Sequence, residues 1–333
     1  MQALVTGATG MLGRHLVDVL VQAGAAVRAC VRSSSDTRHL ESCGVKLVYG
    51  DAGSREALEQ AAQGIDFLFH AAGYLTVASP FGADNGSTNG EWSRYQAVNV
   101  DFTADLLEAA LRAEVGRFLF VSSSSVYSPA ADVPTAEDAP LGPSSKYGRS
   151  KLMAEGKVRA YQARGLATTI VRPPIIYGPE DRYFTPLALR LARMPLLPLV
   201  NGGNNLMDLV CVVDVADLLW RAATCDAAVG REYNAGPGRP ATLRDLVHAY
   251  KRVTGKGPVI VPVLPGVARH TAWLSRAVTR PFLPEIASAL TPEGIALMSR
   301  DLHLDMSRAD EELDFRPQFD LERGLALTLG SYA

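Results

Sequence analysis

Residues 143–151 read PSSKYGRSK and place a tyrosine and a lysine four positions apart, at Tyr147 and Lys151. The stretch leads into a helical pattern over 145–164, and residues four apart share one face of a helix. A free tyrosine has a pKa of about 10 and exchanges protons poorly at neutral pH. Because a nearby ammonium favours the phenolate, the pair predicts a tyrosine that acts as a general acid or base.

A second motif, TGATGMLG at residues 6–13, follows an apolar run and opens the next helical pattern. Its Gly7, Gly10 and Gly13 allow a tight turn and let the backbone approach a ligand closely. The N-terminus of the following helix then faces a diphosphate. This strand–turn–helix context predicts a dinucleotide-binding site.

The residue that ends the second strand bears on which dinucleotide is bound. An acidic residue about 20 positions after the glycines would hold the ribose hydroxyls of NAD. The sequence has Arg32 and Ser33 there, and this pair suits a 2′-phosphate. NADP(H) is therefore preferred and NAD(H) stays possible, since Arg32 and nearby Arg28 could also be solvated strand-end charges. Asp51, followed by Ala52, is placed either for the adenine amino group or as a helix cap.

Short apolar runs alternate with helical patterns through the first half of the chain. The runs are ALVTG, AVRACVR, VKLVYG, DFLFHAAG and RFLFVSSS, and the helical patterns cover 11–23, 54–63, 92–115 and 145–164. Continuous apolar strands are typical of a parallel sheet that helices cover on both faces. The predicted fold class is therefore α/β, a Rossmann-type doubly wound parallel sheet with a smaller mixed C-terminal substrate-binding region.

The composition of the sequence changes at Arg172, where the stretch RPPIIYGPEDRYFTP is rich in proline and aromatic residues. We expect residues 1–172 to form the NADP-binding domain and residues 173–333 to form mainly the substrate-binding region. Residues 206–225, which include CVVDVADLLW, are expected to return to the first domain. Residues 82–91 are interpreted as a linker or a lid. Further helical patterns follow at 242–254, 266–278 and 284–299.

The composition excludes several classes of function. The 333 residues carry 33 basic and 35 acidic side chains, a net charge of −2, so no overall basic surplus exists to hold a nucleic acid or an anionic membrane. The four cysteines and six histidines show no metal-ligand spacing, so we expect reduced thiols and no metal. The apolar runs are too short to span a membrane, and no leader pattern precedes the first strand, so we expect a cytoplasmic protein.

Four motifs in this order resemble the extended short-chain dehydrogenase/reductase family. They are TGATGMLG at 6–13, HAAG at 70–73, VSSSSVY at 121–127 and YGRSK at 147–151. The resemblance extends over essentially the whole chain. It also implies a homodimer formed through the two long helical patterns at 92–115 and 145–164.

The resemblance implies roles for individual residues. Tyr147 would exchange a proton with a substrate oxygen, and Lys151 would also hold the nicotinamide ribose. Ser123 would orient the substrate carbonyl, with Ser124 as the alternative in a run of four serines. Asn99 falls where the family has an asparagine that supports the lysine or a proton relay. The implied cofactor-binding residues are Gly7, Thr9, Gly10, Met11, Leu12, Gly13, Arg32, Ser33, Asp51, Ala52, Ala71, Ala72, Gly73, Val121, Tyr147, Lys151, Pro174 and Ile175.

Two apolar residues distinguish this sequence from the sugar-nucleotide members of the family. Ile175 stands before YGP where those members carry an asparagine, and Met207 stands where they carry an arginine; both polar residues contact a diphosphate. A diphosphate buried without them would cost on the order of several kcal/mol. The pattern is instead similar to the 3β-hydroxysteroid dehydrogenases and dihydroflavonol reductases, which act on bulky apolar molecules. The candidate substrate-contacting residues are Tyr74, Ser124, Tyr177, Phe184 and Met207.

The sequence thus predicts an NADP(H)-dependent oxidoreductase. It would reduce a ketone or aldehyde, or oxidise the matching secondary alcohol, on a bulky and largely apolar small molecule. One alternative is an NAD-dependent sugar-nucleotide epimerase or dehydratase, against which Arg32 and the missing diphosphate contacts weigh. The other is a non-catalytic protein that binds a dinucleotide, against which the presence of Tyr147 and Lys151 weighs.

Overall fold

The computed structural model describes residues 1–49, 55–75, 89–182, 184–280, 295 and 299–332. The strands are β1 (Gln2–Thr6), β2 (Ala26–Val31), β3 (Lys46–Tyr49), β4 (Phe67–His70), β5 (Arg117–Val121), β6 (Thr168–Arg172), β7 (Ile175–Tyr177), β8 (Leu196–Val200), β9 (Leu209–Cys211), β10 (Glu232–Asn234) and β11 (Val259–Val263). The α-helices are α1 (Met11–Gln22), α2 (Arg38–Ser42), α3 (Arg55–Ala62), α4 (Asn89–Tyr95), α5 (Phe102–Arg112), α6 (Lys146–Gln162), α7 (Phe184–Ala192), α8 (Val212–Thr224), α9 (Leu243–Thr254), α10 (Pro265–Thr279), α11 (Ser307–Leu313) and α12 (Leu321–Gly330). Asp51, Ala52, most of 82–91 and most of the helical pattern predicted at 284–299 lie outside the described residues.

Seven strands form the central sheet, in the order β10-β6-β5-β4-β1-β2-β3, and every neighbouring pair is parallel. From β1 the chain winds first to one edge of the sheet and then to the other, so the strand order reverses between β1 and β4. Ligands of such sheets bind at the carboxyl ends of the strands beside this switch point. The predicted doubly wound parallel sheet is confirmed.

Helices cover both faces of this sheet, which is why its strands are apolar along their whole length. On one face α1 and α8 enclose a hydrophobic cluster that includes Leu16 and Leu219. On the other face α3, α5 and α6 enclose a second cluster that includes Leu58, Leu106 and Val158. The central strands β5 and β6 are buried at every position.

The C-terminal region contains two small parallel sheets, β8–β11 and β7–β9, outside the main sheet. Together with α9 and α12, the β7–β9 pair surrounds a third cluster of apolar residues. Within residues 206–225, for which a return to the first domain is predicted, helix α8 packs against α1 and β9 pairs with β7. The strand that rejoins the main sheet comes later, at β10, which pairs with β6.

The helical pattern predicted at 92–115 consists of three segments. Helix α4 ends at Tyr95, a π-helix covers Gln96–Asp101, and α5 begins at Phe102. A π-helical segment adds a residue to one turn and is frequent at functional sites. An apolar period of 3.6 residues does not reveal such an insertion, so the sequence predicted one continuous helix.

Helix α6 approaches the turn after β5 closely, and a glycine permits this. The helix begins after Ser145, whose hydroxyl accepts a hydrogen bond from the Gly148 N–H at 3.0 Å. A Cβ at Gly148 would lie 2.2 Å from the carbonyl oxygen of Ser125. The residue between the tyrosine and the arginine of the YGRSK motif therefore has to be glycine.

We expect Gly148→Ala to lower the free energy of unfolding by about 2 kcal/mol or more, because the new methyl group overlaps a backbone oxygen. Gly156→Ala is the matched control on the same helix. Its Cβ would have open space around it, so it should stabilise the protein by about 0.5–1 kcal/mol through helix propensity. Urea unfolding followed by circular dichroism measures both changes. Equal effects of the two substitutions would contradict the close approach.

Candidate active site

The turn between β1 and α1 has the shape that a dinucleotide diphosphate needs. Gly7 has a φ of +73°, and a Cβ there would lie 2.6 Å from the backbone nitrogen of Ala72. A Cβ at Gly13 would lie 2.1 Å from the Gly7 carbonyl oxygen. Gly10 supplies no side-chain cap to the helix, and first-turn N–H groups have no acceptor within a helix. These features fit the binding of an anionic diphosphate.

The remaining residues predicted around this turn contribute mainly backbone. Leu12 is buried in the core that α1 shares with α8, and Met11 is half-buried against the same core. The Thr9 carbonyl oxygen accepts a hydrogen bond from Arg14 Nε at 3.3 Å. The side chains of Met11 and Leu12 are thus used in packing, while the N–H groups of the first helical turn have no acceptor within the helix.

The two arginines of the second strand have different surroundings. Arg28 donates to the carbonyl oxygens of Ala61 and Gln63, at 3.1 and 2.7 Å, so its charge is used within the fold. Arg32 and Ser33 follow the last residue of β2 and are exposed. Of the two arginines, only Arg32 is therefore positioned at the carboxyl edge of the sheet, where the adenosine end of a dinucleotide would lie.

The HAAG motif forms the end of β4 and the segment after it. The Ala71 N–H donates to the Thr6 carbonyl oxygen at 3.2 Å, which extends the pairing with β1. Ala72 contacts the glycine turn described above. A Cβ at Gly73 would lie 3.7 Å from Asn99 Oδ1 and 3.8 Å from Lys151 Nζ. The cofactor turn and the predicted catalytic residues thus meet at this segment.

The four serines of this run have different surroundings. The Ser123 hydroxyl lies near enough to the Tyr147 phenol to influence its ionisation, and its hydrogen bonds, each 3.2 Å long, join it to the N–H and the hydroxyl of Ser125. The Ser122 hydroxyl instead donates to Glu155 Oε1 at 2.6 Å. Ser124 and Ser125 belong to a short 3-10 helix that Ser123 caps, and both are half-buried. The arrangement pairs Tyr147 with Ser123 as two adjacent hydroxyl groups.

Lys151 is buried one helical turn after the tyrosine. Its Nζ donates to the carbonyl oxygen of Val121, the last residue of β5, at 2.6 Å. The same ammonium lies 4.4 Å from the centre of the Phe120 ring. A carbonyl oxygen and a ring face both attract a cation, and these two contacts fix the lysine at the end of the sheet.

The protonation of this pair differs from the expectation drawn from spacing alone. Burial raises the pKa of the Tyr147 phenol to about 12, while the neighbouring Ser123 hydroxyl acts in the opposite direction. Burial lowers the pKa of the Lys151 ammonium to about 7, opposed by the nearby Glu155 carboxylate. Because the ammonium is directed to the Val121 carbonyl, burial dominates at the phenol. Tyr147 therefore carries its proton at neutral pH.

Asn99 connects three parts of the site. Its Oδ1 accepts from the Tyr74 N–H at 2.7 Å, and its Nδ2 donates to the Tyr74 carbonyl at 3.0 Å. Its Nδ2 also donates to the Ser150 hydroxyl at 2.8 Å. The π-helical segment thereby ties the chain after β4 to helix α6, directly beside Lys151.

A buried ion pair behind the lysine was not predicted. Arg172 donates to both carboxylate oxygens of Glu155 at 2.9 Å, and both side chains are almost fully buried. Although burial acts to raise it, the bonds from Arg172 lower the pKa of Glu155. Glu155 lies four residues after Lys151 on α6, so the same spacing that identified the Tyr–Lys pair could have identified it.

A buried histidine lies beneath the site and was also not singled out. His70 Nδ1 is 2.7 Å from the Thr6 hydroxyl, and its Nε2 is 2.8 Å from the Thr103 hydroxyl. Burial lowers the pKa of His70 to about 3, and the positive charge of Lys151 contributes. The imidazole is therefore neutral and serves as a hydrogen-bonded part of the core.

The predicted substrate residues fall into two groups. The Tyr74 ring lies 5.2 Å from that of Tyr95, which lies 6.3 Å from that of Tyr147, so an aromatic row leads to the phenol. Tyr177 and Met207 are instead buried in the cluster between β7, β9, α9 and α12. The Tyr177 hydroxyl faces the Asp320 carbonyl at 3.4 Å, and this burial favours packing over contact with a substrate.

Phe184, Pro174 and Ile175 lie near the boundary between the two regions. Phe184 opens α7 and packs against the same C-terminal cluster, and Ile175 opens β7. Pro174 precedes β7 and is half-buried. All three remain partly accessible, so they stay candidates for contact with cofactor or substrate.

One group of side chains has the composition of a metal site. Ligand atoms of Asp18, His39 and Cys43 lie within 4.8 Å of one another. Direct contacts between these side chains explain why they lie together, since His39 Nε2 is 2.9 Å from Asp18 Oδ1. Burial and the Asp18 charge raise the pKa of the Cys43 thiol, which disfavours the thiolate that a metal requires.

None of the described helices combines the length and the apolar character needed to cross a bilayer.

Comparison with known proteins gives matches over most of the chain. The model of the family described as the NAD dependent epimerase/dehydratase family matches residues 3–236. A 4-hydroxy-2-methyl-3-oxo-4-farnesyl-3,4-dihydroquinoline-1-oxide ketoreductase of Stigmatella aurantiaca is 29% identical, over 98% of this chain and 95% of that protein. A 2-alkyl-3-oxoalkanoate reductase of Stenotrophomonas maltophilia is 28% identical, over 98% of this chain and 97% of that protein.

Among solved structures, MoeE5 in complex with UDP-glucuronic acid and NAD is similar over its full length. It is 27% identical, with a TM-score of 0.76, and the match covers 100% of this chain and 99% of that chain. The chain is thus similar to two proteins that are named as reductases and to one whose structure contains UDP-glucuronic acid and NAD.

We expect Lys151→Met to raise the midpoint of thermal unfolding by about 2–4 °C below pH 7. The buried ammonium costs the wild type stability in full below its folded pKa of about 7. That cost disappears as the pH approaches the ordinary lysine pKa of 10.5, so the difference between the proteins should shrink as the pH rises. Differential scanning fluorimetry from pH 6 to pH 10 measures it.

The control is Lys157→Met, which replaces an exposed lysine of the same helix. It should show no such dependence on pH. A Lys151→Met midpoint that lies below the wild type by the same amount at every pH would show that the bond to Val121 outweighs the cost of burial.

Proposed function

We propose that this chain, which belongs to the NAD dependent epimerase/dehydratase family and is an NAD(P)-dependent oxidoreductase, is an NADP(H)-linked ketoreductase for a bulky apolar ketone. The observation that carries the proposal is the Tyr147 phenol, which burial keeps protonated and which lies beside the Ser123 hydroxyl, close to the carboxyl end of β5. A protonated phenol beside a second hydroxyl is what the reduction of a carbonyl requires, because the product oxygen must gain a proton.

In the proposed reaction Tyr147 and Ser123 bind the carbonyl oxygen of the substrate. When bound, NADPH supplies the hydride that the carbonyl carbon accepts. Negative charge then develops on the oxygen, and Tyr147 transfers its phenolic proton to it, giving the alcohol. Ser123 donates a hydrogen bond to the same oxygen. The reverse sequence oxidises the alcohol, with Tyr147 as the base.

Lys151 and Asn99 hold this arrangement. Lys151 is fixed to Val121 and has further N–H bonds to offer to a ribose hydroxyl of the cofactor. Asn99 positions the backbone of Tyr74, whose ring begins the aromatic row that leads to Tyr147. These contacts keep the phenol, the lysine and the segment after β4 in one geometry.

Several observations support an apolar substrate. The position at which sugar-nucleotide members carry an arginine holds Met207, which is buried among apolar residues. Ile175 stands in place of the diphosphate-binding asparagine. The ketoreductase and reductase names of the two relatives also describe ketones that carry hydrocarbon chains. We propose Tyr74, Ser124 and Phe184 as the residues that contact the substrate.

We also propose a homodimer formed through α5 and α6, which the family resemblance implies. Met153 on α6 is an apolar side chain with 39% of its surface exposed, as an interface residue of this helix would be in the monomer. Light scattering on the size-exclusion peak measures the mass, and a monomer at every concentration would refute the proposal.

An NAD-dependent epimerase or dehydratase is the second candidate, because the MoeE5 structure contains NAD and UDP-glucuronic acid. Such enzymes regenerate their own cofactor and retain it. We would denature the purified protein and identify any released dinucleotide by mass spectrometry. Tightly held NAD⁺ would replace our proposal with this candidate. An empty protein, or one that exchanges NADP(H) freely, is the expected result.

We expect Tyr147→Phe to lower kcat for ketone reduction by about 10²–10⁴-fold, because it removes the proton donor. NADPH binding, followed by its fluorescence, should change less than twofold. The matched control is Tyr161→Phe at the far end of the same helix, where the hydroxyl bonds to Glu108. It should keep full activity. Undiminished turnover by Tyr147→Phe on a panel of apolar ketones would exclude the proposed role.

We expect Arg32→Ala to weaken NADPH binding by about 10–100-fold, since a charge-assisted bond to the 2′-phosphate is worth about 1.5–3 kcal/mol. NADH has no 2′-phosphate and provides the control within the same variant, so its dissociation constant should stay unchanged. Isothermal titration calorimetry measures both. Equal losses for the two cofactors would mean that Arg32 supports the fold, and no loss would remove the basis for NADP(H) preference.

A further inference from the structure

Exposed apolar side chains concentrate in one part of the C-terminal region. Among the described residues, the four most exposed large apolar side chains are Trp273, Leu264, Val259 and Val278, at 72, 71, 64 and 63%. Soluble monomers rarely leave large apolar side chains together in water. We use the name apolar platform for the set Leu196, Val259, Val261, Leu264, Val267, Trp273, Leu274 and Val278.

The strand part of the platform is one face of the β8–β11 pair. In this parallel pair Val259 is in register with Leu196, and Val263 with Val200. Because side chains alternate between the faces of a strand, Val261 shares the face of Val259 and Val263. Val263 and Val200 pack with Ala268 of α10. Helix α10 therefore covers one end of this face, and its other end, with Leu196 and Val259, is exposed.

The helix part of the platform continues this surface. Val267, Leu274 and Val278 are spaced by seven and four residues, so they form one stripe along α10. All three are exposed, as is Trp273. The buried contact that the structure describes for this 15-residue helix is made by Ala268. Among its described side chains, helix α10 thus presents several apolar residues outward.

The charge of the surrounding sequence is entirely positive. Between Asp245 and Glu285 the sequence contains no acidic residue, and the basic residues of this segment are Lys251, Arg252, Lys256, Arg269, Arg276 and Arg280. Arg269 and Arg280 of this set, and also His270, are exposed beside the platform. The net charge of −2 for the whole chain therefore conceals a segregated basic segment.

We propose that the apolar platform docks onto the surface of an anionic lipid bilayer. An interfacial helix with apolar residues on one side and arginines beside them binds in the plane of the headgroups. Tryptophan favours this interface because its ring is amphipathic, and long basic side chains extend to the lipid phosphates while their stems stay apolar. The attachment that we propose is peripheral, and none of the described helices is a membrane span.

The positive charge around the apolar platform favours a bilayer over a second copy of the chain as its binding partner. Two platforms facing each other would bring two basic segments together, and like charges repel. An anionic bilayer offers opposite charge around an apolar interior. The proposal goes beyond the reduction proposed above, because it concerns where the protein acts and needs neither substrate nor cofactor. Since the proposed substrate is apolar, docking would also place the enzyme beside the phase that dissolves it.

The test is flotation of the full-length protein with extruded vesicles, without substrate or cofactor. One set contains phosphatidylcholine with 30 mol% phosphatidylglycerol, and the other contains phosphatidylcholine alone. We expect binding to the anionic vesicles at about 50 mM salt that weakens at about 500 mM, because salt screens the arginines. Failure to float with anionic vesicles at low salt would overturn the proposal.

Two variants separate the apolar and the charged contributions. Leu274→Glu should reduce the partition coefficient at least tenfold, while Leu327→Glu, which places the same charge at an exposed leucine of α12, should leave it unchanged. Arg269→Gln with Arg280→Gln should reduce it by about 25-fold for anionic vesicles, since each arginine near such a surface contributes about fivefold. Equal effects of Leu274→Glu and Leu327→Glu would overturn the proposal.

Light scattering on the same samples tests the alternative, in which a second copy of the chain covers the platform. Self-association that Leu274→Glu abolishes, in a protein that does not float with vesicles, would assign the platform to a second copy and overturn the proposal. Vesicle binding and ketone reduction are measured independently, so either result can fail without the other.

Discussion

A lysine ammonium is buried at the carboxyl end of the parallel sheet, and much of the surrounding structure serves to keep it there. Lys151 is attached to the Val121 carbonyl and the Phe120 ring, both contributed by β5. Glu155 lies one turn further along α6 and offers the opposite charge, and Arg172 from β6 holds that carboxylate in turn. An isolated buried ion would be too costly, so the lysine requires this series of alternating charges.

Close backbone contacts follow from the same requirement. Helix α6 can bring Lys151 to the sheet because Gly148 leaves room for the Ser125 carbonyl. The turn after β1 can meet the segment after β4 because Gly7 has no side chain. Asn99 then fixes that segment to α6, because its side-chain oxygen accepts a hydrogen bond from Tyr74 and its side-chain nitrogen donates one to Ser150. Glycines and one amide thus bring two distant motifs into a single site.

The C-terminal region differs from the cofactor side of the molecule in the polarity of its surface. The proposed contacts to a charged cofactor lie on the sheet side, at the glycine turn and Arg32. On the other side the positions of diphosphate contacts are apolar, as at Met207, and an exposed apolar helix carries Trp273 among basic residues. Net charge averages over these two parts, which is why −2 for the whole chain gave no indication of the basic segment.

The sequence by itself determined the features that depend on local backbone geometry. The parallel sheet, the turn at Gly7 and the shared helix face of Tyr147 and Lys151 all follow from short-range spacing. Only the tertiary structure directed the Ser122 hydroxyl to Glu155, paired Glu155 with Arg172, and placed Tyr147 where burial raises the pKa of its phenol to about 12. These outcomes depend on which distant segments pack together, because burial and hydrogen-bond partners are set by the folded chain as a whole.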